Sequence, residues 1–123
     1  METRISVPDG IIFLLDPSKK SVIVPTYDPE SATASNPSCV SVKTLPECDG
    51  EVTLRLIRGT TEHDQQRLER VFEGTVETPG GQLAVVTSGL HRALETSVSG
   101  SVTRVAILVD DIEFPSVVEV HVE

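Results

Sequence analysis

The residues able to do chemistry in this chain are few: His63, His91 and His121, Cys39 and Cys48, and an acidic run at Asp110-Asp111-Ile112-Glu113. A His beside carboxylates can bind a metal ion or move a proton. His121 lies between Glu119 and Glu123, and His63 precedes Asp64. Neither belongs to an HExxH or HxxxH pattern and no Cys is near in sequence, so both read as solvated side chains. Three carboxylates at the end of an apolar strand are the donors a hard cation takes. Successive strand residues point to opposite faces, however, and Asp-rich turns after strands are common for structural reasons. The spacing of Cys39 and Cys48 fits neither CxxC nor a four-ligand zinc pattern, and the expectation is two free thiols. Ser88-Gly89 and Ser99-Gly100 lack the preceding Gly of a nucleophile elbow. The residues therefore announce no catalytic group, no metal and no cofactor.

The glycine-rich stretch EGTVETPGGQLAVVT, residues 73–87, poses the same question for phosphate. A phosphate-binding loop sets its glycines between a strand and a helix N-terminus. Here Gly80-Gly81 precedes QLAVVT, which alternates with period two, and neither GK[ST] nor GxGxxG is present. The stretch reads as a hairpin turn, with Gly supplying positive φ and Pro79 fixing the approach. Gly74 marks a bulge or a close backbone approach. Ser99-Gly100-Ser101 reads as a second hairpin turn.

The elements that would position these residues are short Val-rich runs bounded by Gly, Pro, Asp or Ser. They predict strands near 4–7, 11–15, 21–24, 52–57, 70–78, 82–86, 92–98, 102–109 and 117–122. Val52, Leu54 and Leu56 alternate with Thr53 and Arg55, and Val118, Val120 and Val122 alternate with Glu119, His121 and Glu123. Such alternation means one buried and one solvated face. Residues 102–109 are apolar on both sides and suit a central strand. Residues 60–70 are the best helix candidate, a short one near 61–69, with a thin apolar face. Residues 25–50 break the rhythm. They hold four of the eight Pro and read as a long Pro/Ser-rich loop in which only 39–42 suits a strand. The expectation is an all-β, antiparallel β-sandwich spanning 1–123 as a single domain, with a small β-barrel as the alternative.

Composition narrows the function classes. The 123 residues carry a net charge of −9, of which residues 61–123 hold −7. A negative field repels phosphate backbones and anionic membranes and attracts basic proteins or cations. Four aromatic residues, with no Trp, argue against base-stacking and sugar platforms. No run approaches the roughly 20 apolar residues of a membrane helix, and the first residues lack a signal peptide's pattern, so the expected location is cytoplasmic.

The segments VFEGTVETPGGQLAVVT, SVSGSVTRVAILVDD and PSVVEVHV together resemble a recurrent bacterial β-sandwich pattern. It is similar to the small competence-associated nuclease inhibitors and to immunity-type proteins of toxin systems. The resemblance covers about half of the chain and implies a non-enzymatic binder; it carries over no site residue. The leading expectation is a protein-binding module that lays an acidic face over a basic partner and binds neither nucleic acid nor membrane. Glu73, Glu77, Glu95, Glu119 and Glu123 form the candidate face because each alternates outward from a Val-rich strand. A second reading is a small-ligand or cation-binding sandwich that uses 25–50 and 110–113. A third is an enzyme whose site is assembled only by folding.

Overall fold

In the computed structural model, which describes residues 1–19, 22–58, 68–89 and 91–122, period-two alternation builds two facing five-stranded sheets. The strands are β1 (Glu2–Ile5), β2 (Ile11–Leu15), β3 (Thr33–Asn36), β4 (Cys39–Lys43), β5 (Val52–Arg58), β6 (Glu69–Glu77), β7 (Gln82–Thr87), β8 (Arg92–Ser97), β9 (Val102–Val109) and β10 (Val117–Val122). The first sheet runs β1-β5-β10-β9-β6 and the second β3-β4-β2-β7-β8. Every pair is antiparallel except β5–β10. The sheets do not close on each other, so the fold is an all-β sandwich and not a barrel.

One apolar cluster fills the space between the sheets. Val52, Leu54 and Leu56 of β5, Val118, Val120 and Val122 of β10, and Val105, Ile107 and Val109 of β9 meet Ile12, Leu14, Val40, Val42, Leu83 and Val85 of the second sheet. These are the alternating positions of each strand, so the pleat alone delivers them to one face. Phe72 also turns inward. Its ring lies over Gly74, where an added Cβ would sit 2.9 Å from the ring, so Gly74 is a close approach and the bulge falls instead between Arg70 and Phe72.

The glycine turns are turns, but they are not hairpins. The chain leaves β6 in the first sheet, passes Pro79-Gly80-Gly81, and enters β7 in the second. Ser99-Gly100-Ser101 likewise carries the chain from β8 back to β9 in the first sheet. The true hairpins of this half lie between β7 and β8 and between β9 and β10. Gly and Pro report where the chain bends but not which strands the bend joins; of these turn glycines Gly81, at φ 72°, takes the left-handed conformation. What sends 79–81 across the sandwich is tertiary. The Gly80 amide donates to buried Asp16 at 2.7 Å, and a Cβ on Gly80 would lie 1.5 Å from the Ser18 hydroxyl. Asp16 also accepts from the Ser18 amide and hydroxyl. Burial pushes its carboxyl up, but these donors outweigh burial and hold it below the ordinary carboxylate range. The two crossings are tied together by the Thr78 hydroxyl, which donates to the Gly100 carbonyl at 2.7 Å.

Other expectations shift. β1 spans Glu2–Ile5 instead of 4–7, because Val7 leaves the strand to fill the core before a 3-10 turn at Pro8–Gly10. Residues 22–24 are not a strand, and Ser21 lies outside the described residues. Within 25–50 the chain forms two strands. The Asn36 side chain accepts from the Ser38 and Cys39 amides and so fixes a tight β3–β4 hairpin that hydrophobic pattern did not signal. Of the helix expected near 61–69, residues 61–67 lie outside the described residues, and Glu69 already belongs to β6. Cys39 and Cys48 are both free; burial pushes the Cys39 thiol up to about 12.

Candidate functional site

The register decides which of the acidic residues are neighbours. Glu73 and Glu77 on β6 and Glu119 on β10 all face outward from the first sheet, on either side of β9. Glu95 belongs to β8 at the edge of the second sheet and cannot share that face. Glu123 lies outside the described residues. The strand alternation placed Glu119 on a solvated side, and here the structure differs. Glu119 is only 5% exposed, held between Arg55 at 3.0 Å and His121 at 2.8 Å. Its register partners are Arg55 on β5 and Leu108 on β9, and the ion pair with Arg55 and the bond to His121, two residues along its own strand, take it out of solvent.

The same outward face sets three guanidinium groups, on Arg55, Arg70 and Arg104, and the Lys19 amine against its carboxylates. Arg55 also takes Glu2 at 2.7 Å. Glu73 is held by Arg70 at 2.6 Å and Arg104 at 3.4 Å. Glu77 bonds to Lys19 at 2.9 Å and to the Ser38 hydroxyl, and the Lys19 hydrogen bond and charge draw its carboxyl below the ordinary range. On the second sheet Glu95 pairs with Arg92 at 3.0 Å. The described members of the expected face are thus each partnered by a cation, and the face as a whole is close to neutral.

Negative charge concentrates elsewhere, at the end of the sandwich where β4 and β9 finish and β6 and β10 begin. An open groove of about 930 Å³ lies there. One wall is formed by residues 27–32 and the other by the β9–β10 turn at 110–114, with Asp9, Lys43 and Glu69 between them. Six carboxylates (Asp9, Glu30, Glu69, Asp110, Asp111 and Glu113) and one amine, Lys43, line it. Both segments that the second sequence reading singled out, 25–50 and 110–113, therefore meet in one place. Asp9 and Glu69 were not singled out at all.

Local hydrogen bonds set the shape of both walls. Asp28 accepts from the Glu30 amide and the Ser31 hydroxyl, which folds 28–31 into a turn and, led by the Glu30 amide, holds its carboxyl below the ordinary range. Lys43 donates to the Pro29 carbonyl and sits 5.5 Å from the centre of the Tyr27 ring, pinning this wall to β4. In the other wall Asp110 accepts from the Ser116 and Val117 amides and the Ser116 hydroxyl. Burial raises its carboxyl, and the three donors more than offset that. Asp111 accepts from the Glu113 and Phe114 amides. Asp110 and Asp111 are consequently occupied in building the turn. The carboxylates of Glu30, Glu69 and Glu113 have no hydrogen bond or ion pair to another described residue. Among the described residues no three His, Cys, Asp or Glu side chains are placed to hold a metal ion.

Three of the seven exposed large apolar side chains among the described residues lie at the groove. Tyr27 is 62% exposed, Ile112 50% and Phe114 54%. Two of the chain's four aromatic residues thus stand at its mouth. The available sequence signal was their setting, since Tyr27 lies two residues from Pro25 and Pro29 and Phe114 precedes Pro115. Aromatic residues in Pro-bounded loops have no strand to bury them.

No family model matches the chain, and no curated protein matches it in sequence. Its fold is similar to that of ComJ from Bacillus subtilis, an inhibitor of the DNA-degrading activity of NucA, with a TM-score of 0.72 over 99% of this chain and 93% of that one at 8% identity. The resemblance drawn from turns and strand pattern to small competence-associated nuclease inhibitors therefore holds at the level of fold, and over nearly the whole chain instead of half.

Proposed function

We propose that this chain is a non-catalytic protein-binding module of the inhibitor type, which engages a basic partner through its negative surface. The observation that carries the reading is the likeness of the whole sandwich to ComJ, a protein that acts by inhibiting another protein. The charge of −9 supports a basic partner, because a negative surface speeds the approach of a positive one and disfavours acidic competitors. Glu73, Glu77 and Glu95 are each paired with a cation and Glu119 serves the fold, so the sheet faces add little to this field. Partner capture at low salt, followed by assay of the captured protein with and without this chain, tests the reading. The expected partner is basic, loses activity when the chain is added, and associates more slowly as salt shortens the Debye length from about 10 Å to 3 Å. An acidic partner, or one whose activity is unchanged in the complex, overturns it.

A further inference from the structure

We propose that the groove between residues 27–32 and 110–114 is the docking site for a protruding loop of the partner that carries Arg side chains around one apolar residue. The proposal rests on the protein-binding reading above and adds which surface binds and what it takes.

Charge complementarity selects the occupant. Three carboxylates of the rim, on Glu30, Glu69 and Glu113, pair with no cation among the described residues, while the lining amine, Lys43, is tied to its own wall. The rim therefore presents uncompensated negative charge at a concave surface, where walls of low dielectric focus the field. The exposed faces of Tyr27 and Phe114 stand beside it. A guanidinium accepts both environments, since it binds a carboxylate in fork geometry and stacks on an aromatic ring, and a Lys ammonium does so less well. An apolar neighbour in the same loop would cover Ile112 and Phe114, giving the pattern of an aromatic anchor inside a polar rim. The walls are already ordered by the Asp28, Asp110 and Asp111 turns, so little ordering entropy remains to oppose binding. A nucleic acid is repelled by the same charge, and a second copy of this chain brings its own excess of carboxylates.

The test uses the whole protein and a short peptide of alternating Arg and Phe, followed by backbone amide NMR. Matched peptides carry Ser for Phe or Glu for Arg. The Arg/Phe peptide is expected to shift the amides of Tyr27, Glu30, Lys43, Glu69, Ile112 and Phe114. Replacing Phe by Ser should weaken it about tenfold, and the acidic peptide should not bind. The triple variant Glu30→Gln, Glu69→Gln, Glu113→Gln should weaken the Arg/Phe peptide about tenfold or more, while Glu73→Gln leaves it unchanged. The assignment is overturned if the peptide does not bind, if its shifts centre on β6 and β10, or if calcium or magnesium alone produces the same shifts at comparable concentration. Partner capture separates the two claims. A partner held equally by the wild type and the triple variant sinks the groove and leaves the binding-module reading standing. A wild-type chain that takes no protein partner sinks the reading itself.

Discussion

The outward face of the first sheet and the groove at the end of the sandwich both look acidic in sequence, yet they use charge in opposite ways. On the sheet, Glu2, Glu73 and Glu119 meet Arg55, Arg70 and Arg104, and Glu77 meets Lys19. In the groove Glu30, Glu69 and Glu113 pair with no cation among the described residues. The difference follows from geometry. Cross-strand neighbours on a sheet lie about 4.5–5.5 Å apart, within reach of Arg, so opposite charges there find each other. The loops at the sandwich end instead spend their Asp carboxylates on backbone amides and Ser hydroxyls. Counting carboxylates along a sequence therefore locates charge but not field; pairing decides the field.

The comparison breaks most sharply at Glu119. Glu119→Ala should cost about 2 kcal/mol in denaturant unfolding, because it removes the buried carboxylate that Arg55 and His121 share, although Arg55 keeps Glu2. A loss below about 0.5 kcal/mol would show the pair to be no more than surface decoration. Next in size is Asp110, the groove residue that builds instead of binding. Asp110→Ala should cost about 1.5 kcal/mol through the lost Ser116 and Val117 bonds. Its folded carboxyl lies below the ordinary value, so its contribution is present above about pH 4 and lost as pH falls further. Unfolding midpoints measured from pH 6 down to pH 2 should therefore converge for the variant and the wild type. A gap that widens toward acid would reverse the sign and disprove this role.

At the groove mouth, Phe114→Ala should leave stability within about 0.5 kcal/mol, since the ring is exposed, while weakening partner binding about tenfold. A fall in stability without a fall in affinity would make Phe114 a packing residue. The smallest effect is expected at Glu73. Glu73→Gln loses two exposed ion pairs worth about 0.5 kcal/mol together and should alter neither the fold nor the partner's dissociation rate. An effect at Glu73 as large as at Phe114 would return the binding surface to the sheet.

Much of this molecule was legible in its residues. β2, β9 and β10 occupy the positions that the bounded apolar runs assigned, and in β5 and β10 the core residues are the inward Val and Leu that alternation picks out. A period of two is a local property, so a local reading recovers it. β3 was missed because TASN has no apolar period, and its hairpin depends on one Asn side chain. Of the groove, 25–50 and 110–113 were visible as departures from the strand rhythm, but Asp9 and Glu69 were not, because nothing in their own neighbourhoods sets them apart.

The sequence by itself determined that the chain would fold as two-faced strands with turns at its Gly, Pro and Asp clusters, because φ preferences and the pleat act within a few residues. Only the tertiary structure decided which turns cross the sandwich, which carboxylates find an Arg, and that residues 27–32 and 110–114 share a groove. Those outcomes depend on strand order, which arises from contacts between residues far apart in sequence. Asp16 illustrates the limit, since it appears ordinary in its own segment and fixes the path of the chain only through its bond to Gly80.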